Sequence, residues 1–224
     1  MGSSVDCAVS GSPACIHGFL HRRDGHGRGA FSTITFPGHP GAFAQRITAD
    51  GEIYGCLHDF DLMGSMFGAV WAHSGHVSLT ADGGELADVT RAVPASMNNG
   101  ATRHGKTIVG HFTDMMTNRT HGFVVKNGDF QAYDVPGSTF TQIWDVNPRH
   151  EFVGTYVDNA GTRHGFVQVP DGSAPSVLDF PGAAATIAFG VNPAGVVVGQ
   201  YTASGQTHGF VAVPAGGRKS HVRP

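Results

Sequence analysis

Residues 186–213, TIAFGVNPAGVVVGQYTASGQTHGFVAV, decide the fold of this chain. Two apolar, β-branched runs flank the Asn-Pro-Ala-Gly turn at 192–195, and a third run follows the polar loop at 202–206. Short runs of this kind, bounded by Gly, Pro and Asn, predict strands joined by tight turns. Because the stretch shows no sustained helical period, it predicts an antiparallel meander.

The elements of this stretch recur along the chain. The tripeptide His-Gly-Phe occurs four times, at 17–19, 121–123, 164–166 and 208–210. An aromatic residue or Val followed by Pro-Gly occurs three times, at 36–38, 135–137 and 180–182. Val-Asn-Pro occurs twice, at 146–148 and 191–193. Four short strands in about 40–45 residues are typical of one propeller blade.

We therefore predict an all-β protein, a five-bladed β-propeller built from four-stranded antiparallel blades in a single domain over 1–224. The predicted blades are, approximately, 1–37, 38–81, 82–136, 137–181 and 182–224. The first blade is predicted to be incomplete, because Val5–Ser10 aligns with the second strand of the other blades and too few residues precede it to form an innermost strand.

The full pattern, TxAxGVNxxGxVVGxY…HGF…(L/V)D(F/V)PG, resembles the bacterial HAF-type repeat, a β-propeller-like family often found in surface or extracellular proteins. The resemblance covers nearly the whole chain and is clearest in residues 121–224. It implies the fold, but it supplies no activity, cofactor or catalytic residue. The function therefore has to be inferred from the site itself.

Composition excludes several classes of partner. Charged residues make up 14% of the chain, the formal net charge is −3 and the pI is near 6.5, so a nucleic-acid backbone is not a predicted partner. No apolar run approaches the roughly 20 residues of a membrane helix, so no membrane partner is predicted. The N-terminal segment lacks a basic region followed by an apolar one, and we expect a cytoplasmic chain, or a secreted one if a leader was removed.

The chain contains 14 histidines, and four of them belong to the repeated His-Gly-Phe. They could form a ring of ligand or metal-binding groups, since His is the commonest metal ligand. Alternatively, each could open the third strand of its blade and hydrogen-bond a neighbouring loop. The structural interpretation is favoured, because a residue repeated at equivalent positions is expected to make the same structural contact in every blade.

The inner strands of the blades supply the first group of candidate site residues. Arg46 and Asp145 fall at the same repeat position, which is Gly190 in the last blade and Ser96 in the third, where 98–104 is interpreted as an insertion. An inward arginine could bind a carboxylate or phosphate in bidentate fashion, and an inward aspartate could be a general base or a counter-ion. The neighbouring register contains Gln45, Trp144 and Phe189. Because side chains alternate along a strand, either the charged pair or the aromatic wall is predicted to face the channel.

The loops at one face of the propeller supply the second group. These loops join second to third strands and cross between blades, and they depart most from the repeat in blades 2 and 3. They offer His–Asp pairs for acid–base chemistry: His58 or His111 with Asp61 or Asp114. A divalent metal such as Zn or Fe at His39, His58, Asp59 and His111 is a second interpretation, and neutral drift of solvent loops is a third. No cofactor is required.

Taken together, the two groups give the candidate site. The predicted catalytic residues are His58, His111, Asp114 and Asp145. The predicted substrate-binding residues are Arg46, His39, Asp61, Gln45, Trp144 and Phe189.

Missing motifs narrow the function. The chain has no Gly-Lys-Ser/Thr phosphate loop, no dinucleotide fingerprint and no Gly-x-Ser-x-Gly elbow, which argues against kinase, redox and serine-hydrolase activities. We predict a small-molecule enzyme with non-redox chemistry, of the lyase, isomerase or cyclase type, at a polar pocket on one face of the propeller. The alternative is a propeller that binds a carbohydrate or another small ligand without turnover, and a third hypothesis is a structural interaction protein.

Overall fold

The computed structural model describes residues 2–5, 16–23, 29–34, 41–58, 66–71, 77–79 and 95–215. These residues form strands, with one short 3₁₀ turn at Arg103–Gly105 and no α-helix. The strands are β1 (Gly2–Val5), β2 (Ile16–Arg23), β3 (Gly29–Ile34), β4 (Gly41–Ile47), β5 (Ile53–His58), β6 (Met66–Trp71), β7 (Val77–Leu79), β8 (Ser96–Ala101), β9 (Thr107–Asp114), β10 (Arg119–Lys126), β11 (Asp129–Tyr133), β12 (Phe140–Val146), β13 (Phe152–Val157), β14 (Arg163–Gln168), β15 (Ser176–Leu178), β16 (Ala185–Val191), β17 (Val197–Ala203) and β18 (Gln206–Ala212). In the part of the chain described, no helix has the length and apolar character needed to cross a membrane.

The strands pair in chain order as antiparallel meanders. β1–β3 form a three-stranded sheet, and β4–β7 and β8–β11 form two four-stranded sheets. The remaining strands belong to one seven-stranded sheet, in which the meanders β12–β15 and β16–β18 join through a single parallel pair, Arg163 with Ala185. Every His-Gly-Phe lies in a strand that follows the second strand of its meander: β2, β10, β14 and β18. The all-β prediction is confirmed.

A β-bulge interrupts the pairing of first and second strands at the same repeat position in four meanders. The extra residues are Gln45, Asn99, Trp144 and Phe189. A glycine of the second strand lies opposite each bulge: Gly55, Gly110, Gly154 and Gly199. A Cβ on any of these glycines would lie only 1.7–2.1 Å from a carbonyl oxygen of the first strand. The repeated glycine is therefore required because it alone leaves room for the bulged backbone.

Consecutive meanders pack face to face through clusters of buried apolar side chains. Each of four clusters combines residues of two neighbouring meanders. The phenylalanine of His-Gly-Phe belongs to these clusters, and Phe123 and Phe166 are fully buried. A Cβ on Gly110 would lie 2.6 Å from the Phe123 ring, so the same glycine that faces the bulge also accommodates the aromatic ring.

The last meander presents an uncovered apolar face. Val198 pairs with Val211, as Val153 pairs with Val167 one repeat earlier. Val153 is fully buried against β16–β18, whereas Val198 is 48% exposed and Val211 is 68% exposed. Within the described ranges, β16–β18 do not pack extensively against β1–β3. The described sheets therefore form a series of four packed interfaces, with one apolar face left open at the end of the series.

The repeat alignment of the third meander corrects one sequence prediction. Ser96 does not occupy the position of Arg46 and Asp145, because the bulge at Asn99 places Gly100 there. The segment interpreted as an insertion is instead largely the inner strand β8 and its following turn. The prediction was wrong because this repeat lacks the Gly-Val-Asn signature that marks the end of the inner strand elsewhere.

The first sheet has three described strands, and β1 pairs with the strand that contains His-Gly-Phe, as second strands do in the other meanders. Of the predicted strand Val5–Ser10, only Val5 lies among the described residues, at the end of β1. The incomplete first blade stays a prediction.

Candidate functional site

The inner strands β4, β8, β12 and β16 converge on a pocket of about 480 Å³. It lies beside the turns that join first to second strands, next to Thr48, Thr102 and Asn192. Of the loops that the sequence predicted for the site, the described one between β9 and β10 lies at the opposite end of its sheet from the turn after β8. Most of the pocket wall is aliphatic or proline, formed by Ile47, Ala49, Ala101, Val146, Pro148, Val191, Pro193, Val196 and Val198. Its charged lining residues are Arg46, Arg103 and Asp145.

An ion pair spans the pocket. Nη1 of Arg46 lies 3.2 Å from Oδ2 of Asp145, although the two residues are 99 positions apart in the chain. The backbone N–H of Val191 donates to the same oxygen at 3.0 Å. Oδ2 is therefore held by one donor from β4 and one from β16, which fixes the orientation of the carboxylate.

Two glycines make room for this carboxylate at the repeat position that Arg46 and Asp145 also occupy. A Cβ on Gly100 would lie 2.8 Å from the Asp145 Cα and 3.1 Å from its Oδ1. A Cβ on Gly190 would lie 3.7 Å from Oδ2. Two of the four converging strands thus have no side chain at this level, and at Gly100 this absence lets the backbone pack directly against Asp145.

The ion pair retains unused hydrogen-bonding capacity. Asp145 is only 4% exposed, and its Oδ1 has no hydrogen-bond partner among the described residues. The buried Nε of Arg46 also has none there, while the arginine side chain as a whole is 37% exposed. Burial raises the pKa of Asp145, against the opposing effects of Arg46 and the N–H groups of Val191 and Val146. Because neither of these two atoms has accessible surface, what the pocket exposes of the ion pair is mainly the rest of the Arg46 side chain.

The bulged residues form an aromatic layer next to the ion pair. The rings of Trp144 and Phe189 meet edge to face at 5.3 Å, and the rings of His111 and Trp144 are 5.9 Å apart. Nε2 of Gln45 lies 3.7 Å from the Met97 sulfur. The sequence predicted that either the charged pair or the aromatic wall faces the channel; the charged pair lines this pocket, whereas Gln45, Trp144 and Phe189 are not among its lining residues.

His111 is buried and held by an amide. Nδ2 of Asn99 lies 2.8 Å from its Nδ1 and also donates to the Ile143 carbonyl at 2.7 Å. Because the amide nitrogen is a donor, Nδ1 is the acceptor and the proton lies on Nε2. Burial lowers the pKa of His111 to about 4, so this residue is neutral at pH 7.

Asp114 has a local role in a turn. Its carboxylate accepts hydrogen bonds from the Met116 N–H and the Thr117 hydroxyl, each at 2.8 Å, and these bonds lower its pKa. Both Asp114 and His111 are described, and no hydrogen bond joins them. The geometry thus does not assemble these two residues into an acid–base pair.

Three predicted site residues are not positioned by the structure. His39 and Asp61 lie outside the described residues, as does Asp59 of the metal hypothesis. His58 ends β5, but its side chain is not described. Their predicted roles stay predictions. Within the described ranges, no group of three or more His, Cys, Asp and Glu side chains is arranged to hold a metal ion.

Comparison with known proteins bears on the fold. No family model matches the chain, and no curated protein matches it in sequence. The chain is similar to the crystal structure of TolB from Acinetobacter baumannii, with a TM-score of 0.65 and 12% identity over 94% of this chain and 49% of that one. A triple arginine-to-alanine mutant of AofleA from Arthrobotrys oligospora matches with a TM-score of 0.46 and 14% identity, over 93% of this chain and 69% of that one.

The fold is β-propeller-like. The chain spans about half the length of TolB. At this level of identity, the likeness concerns the fold alone, and the function has to come from the residues of the pocket.

Two of the repeated histidines, His121 and His164, bond aspartates of their own repeats. Nδ1 of His121 lies 2.8 Å from Asp134, and Nδ1 of His164 lies 2.7 Å from Asp179. Each of these aspartates precedes the Pro-Gly of its own repeat, and the His164 ring also stacks on Tyr156. Each of these two pairs ties the third strand of its meander to the chain that leaves the meander's fourth strand.

Sequence reasoning missed two residues of the pocket. Arg103 lies on the turn after β8, and Gly100 provides the space beside Asp145. A signal for Arg103 exists, since it falls on the turn between first and second strands, where other repeats have Asn-Pro. The weak repeat pattern around β8 concealed this equivalence.

Proposed function

We propose that this chain is a propeller-like protein that binds a small anionic ligand, without turnover, in the pocket between β4, β8, β12 and β16. The observation that supports this most directly is the pair of arginines in the pocket wall, Arg46 and Arg103, with the Arg46 side chain 37% exposed beside the buried Asp145. A cavity of ligand size with a largely apolar wall and a few convergent polar groups is typical of a binding site.

The charges favour an anion. Arg46 uses one nitrogen on Asp145, so the rest of its planar guanidinium remains for bidentate contact with a carboxylate or phosphate. Arg103 adds a second positive charge to the wall. Two arginines and one aspartate give an excess of one positive charge, which suits a monoanion. The aliphatic and proline lining suits a ligand whose remaining surface is apolar.

Turnover is less well supported than binding. Of the four predicted catalytic residues, Asp145 lines the pocket, Asp114 caps its own turn, and His111 is neutral and bonded to Asn99. General acid–base catalysis needs a second titratable group positioned on the reacting atoms. Among the described residues, the ionisable side chain that contacts Asp145 is the guanidinium of Arg46. The non-redox enzyme therefore ranks second.

The blade count belongs to the same proposal. We interpret the seven-stranded sheet as two blades, because a single residue pair joins its two meanders and each meander has its own bulge. The described sheets then correspond to five blades, of which the first lacks its inner strand. The His–Asp pairs before Pro-Gly support the resemblance to HAF-type repeats, since they give the repeated residues one shared structural role.

Titration calorimetry with isovalerate tests the function. We expect binding to the wild type and at least tenfold weaker binding to Arg46→Gln, as loss of a charge-assisted pair predicts. Arg119→Gln is the matched control, because Arg119 is exposed to the same degree, 38% against 37%, and lies outside the pocket. Equal weakening in both variants, or no binding of isovalerate, acetate or phosphate to the wild type, would refute the proposal. Chemical conversion of the bound acid would show that the protein is an enzyme and not a binding protein without turnover.

A further inference from the structure

We infer that the ligand of this pocket is an unbranched alkyl carboxylate of medium chain length: its head group binds the arginines, and its tail extends over the uncovered apolar face of β16–β18. This inference rests on the proposed function and names the ligand class of that same site. It follows from three features: the position of Val198, a row of paired residues that leads away from the ion pair, and the distribution of charge.

Val198 belongs to the pocket and to the uncovered face at the same time. It is among the residues that line the pocket, and its side of the sheet is the one left open at the end of the series of meanders. Val198 is 48% exposed and its partner Val211 is 68% exposed, whereas the equivalent Val153 is fully buried against β16–β18. The pocket is therefore continuous with an apolar surface that no further meander covers within the described ranges.

A row of paired residues leads from the ion pair onto this face. A Cβ on Gly190 would lie 3.7 Å from Oδ2 of Asp145; Gly190 pairs with Val198, and Val198 pairs with Val211. Residues directly opposite each other on antiparallel strands point to the same face of the sheet. Because neighbouring strands lie about 4.8 Å apart, the row spans roughly 10 Å from β16 to β18.

This span sets the length of the tail. A carbon–carbon bond of about 1.5 Å advances an extended chain by little more than 1 Å, so a chain of roughly eight carbons follows the row to its end. A short acid such as isovalerate occupies the region of the head group without reaching Val211. The cavity of about 480 Å³ lies within the range of sites that bury larger ligands.

Charge is confined to one end of this path. The charged residues of the pocket lining are Arg46, Arg103 and Asp145, whereas β16, β17 and β18 contain no Asp, Glu, Lys or Arg. A ligand complementary to this distribution has one anionic head and a long uncharged tail. An alkyl monocarboxylate meets both conditions, because it also neutralises the excess of one positive charge in the lining.

Calorimetry with butanoate, hexanoate and octanoate on the wild type tests the inference. We expect each added methylene group to tighten binding by roughly twofold to fourfold, as half to full burial of a methylene group predicts. Octanamide has a tail of the same length without the charge, and it should bind about tenfold or more weakly than octanoate. Arg46→Gln should weaken the three acids by a similar factor and leave the gain with chain length unchanged.

Val211→Thr tests the path of the tail, because Val211 lies on the uncovered face but not in the pocket lining. This variant should weaken octanoate by roughly threefold, since the tail then meets a hydroxyl in place of a methyl group, and it should bind butanoate like the wild type. Val177→Thr is the matched control. Val177 is a strand valine that is 58% exposed, and on β15 it lies outside both the pocket lining and β16–β18.

The outcomes separate this inference from the proposed function. If butanoate and octanoate bind equally and both are weakened in Arg46→Gln, the anion site stands and the alkyl-chain inference is wrong. A dimer in sedimentation, together with that result, would assign the apolar face to a second copy of the chain. Equal octanoate affinity in Val211→Thr and Val177→Thr would overturn the proposed path of the tail. If none of the acids binds, or if octanamide binds as tightly as octanoate, the proposed function fails and the inference fails with it.

Discussion

Two equivalent valines provide a direct test of the repeat architecture. Val153 and Val198 occupy the same position in the second strands of successive meanders, but Val153 is fully buried and Val198 is 48% exposed. Replacing valine by alanine removes two methyl groups, each worth about 0.8 kcal/mol when fully buried. For Val153→Ala the remaining cavity adds to this loss, and we expect a total of about 2–3 kcal/mol.

The cost at Val198 should be much smaller. About half of the side chain is already in contact with solvent, so the transfer loss is about 0.8 kcal/mol and no closed cavity forms. The change in strand propensity is the same for both valines and cancels in the comparison. The two variants should therefore differ by about 1.5 kcal/mol in the free energy of unfolding.

Urea unfolding of the wild type and both variants measures this difference. The m-value should stay constant across the three proteins, so that the shift in midpoint reports stability alone. Equal destabilisation by Val153→Ala and Val198→Ala would refute the reasoning. It would mean that the face of β16–β18 is covered in solution, as in a ring closed on its own first sheet.

Three further predictions concern single positions. Gly154→Ala should destabilise the protein by at least about 3 kcal/mol in urea unfolding, because the new Cβ would lie 2.1 Å from a first-strand carbonyl oxygen. A loss below about 1 kcal/mol would contradict the close approach of the two strands at this bulge. Burial raises the folded-state pKa of Asp145, so the stability that this residue contributes is complete below its unfolded pKa and is lost as pH rises through the folded value. The Tm of the wild type, measured relative to that of Asp145→Asn, should therefore fall from pH 3 to pH 7. A rise in this Tm difference would contradict the prediction. Burial lowers the pKa of His164, but hydrogen bonds to Asp179 and Asp158 outweigh it and leave this pKa raised. The stability advantage of the wild type over His164→Gln should therefore be full below about pH 6.5 and should shrink as pH increases. An advantage independent of pH would show that these bonds do not depend on the imidazolium.

The strands could be predicted because their boundaries have strong local signals. Asn147 shows why, since its side-chain oxygen accepts the N–H groups of Arg149 and Glu151 and closes the turn that Asn-Pro predicts. Where this signal is missing, as before β9, the sequence alignment slipped by several residues and placed Ser96 where Gly100 lies. The repeated Val-Gly marks the glycine that lies opposite each bulge. This dipeptide alone does not predict the bulge, because the register of the two strands must also be known.

The site was less predictable than the strands because it depends on distances between strands. The sequence identified Arg46, Asp145 and Trp144 as inner-strand residues, but it could not show that the first two touch or that Trp144 contacts Phe189 of the next repeat. The residue type of His111 suggested catalysis, but it could not show that this side chain is buried, bonded to Asn99 and neutral at pH 7. Its catalytic role stays a prediction. Burial and partner identity are properties of the assembled sheets, and a single strand does not determine them.

The bulge explains why the variable residues of this protein collect in the pocket. In each of β4, β8, β12 and β16 it adds one residue opposite a glycine, and in the last three meanders the phenylalanine of His-Gly-Phe pairs with that glycine, so the surrounding frame changes little. The bulged residue and its successor are free of that frame, so they can differ from repeat to repeat without loss of packing. At these two positions the repeats have Gln-Arg, Asn-Gly, Trp-Asp and Phe-Gly. An arginine, an aspartate and two glycines at one level cannot serve a shared structural role, because a structural solution would be repeated. Their difference places one charged pair in a wall that is otherwise mostly aliphatic or proline, and the shared frame of the repeats does not require it.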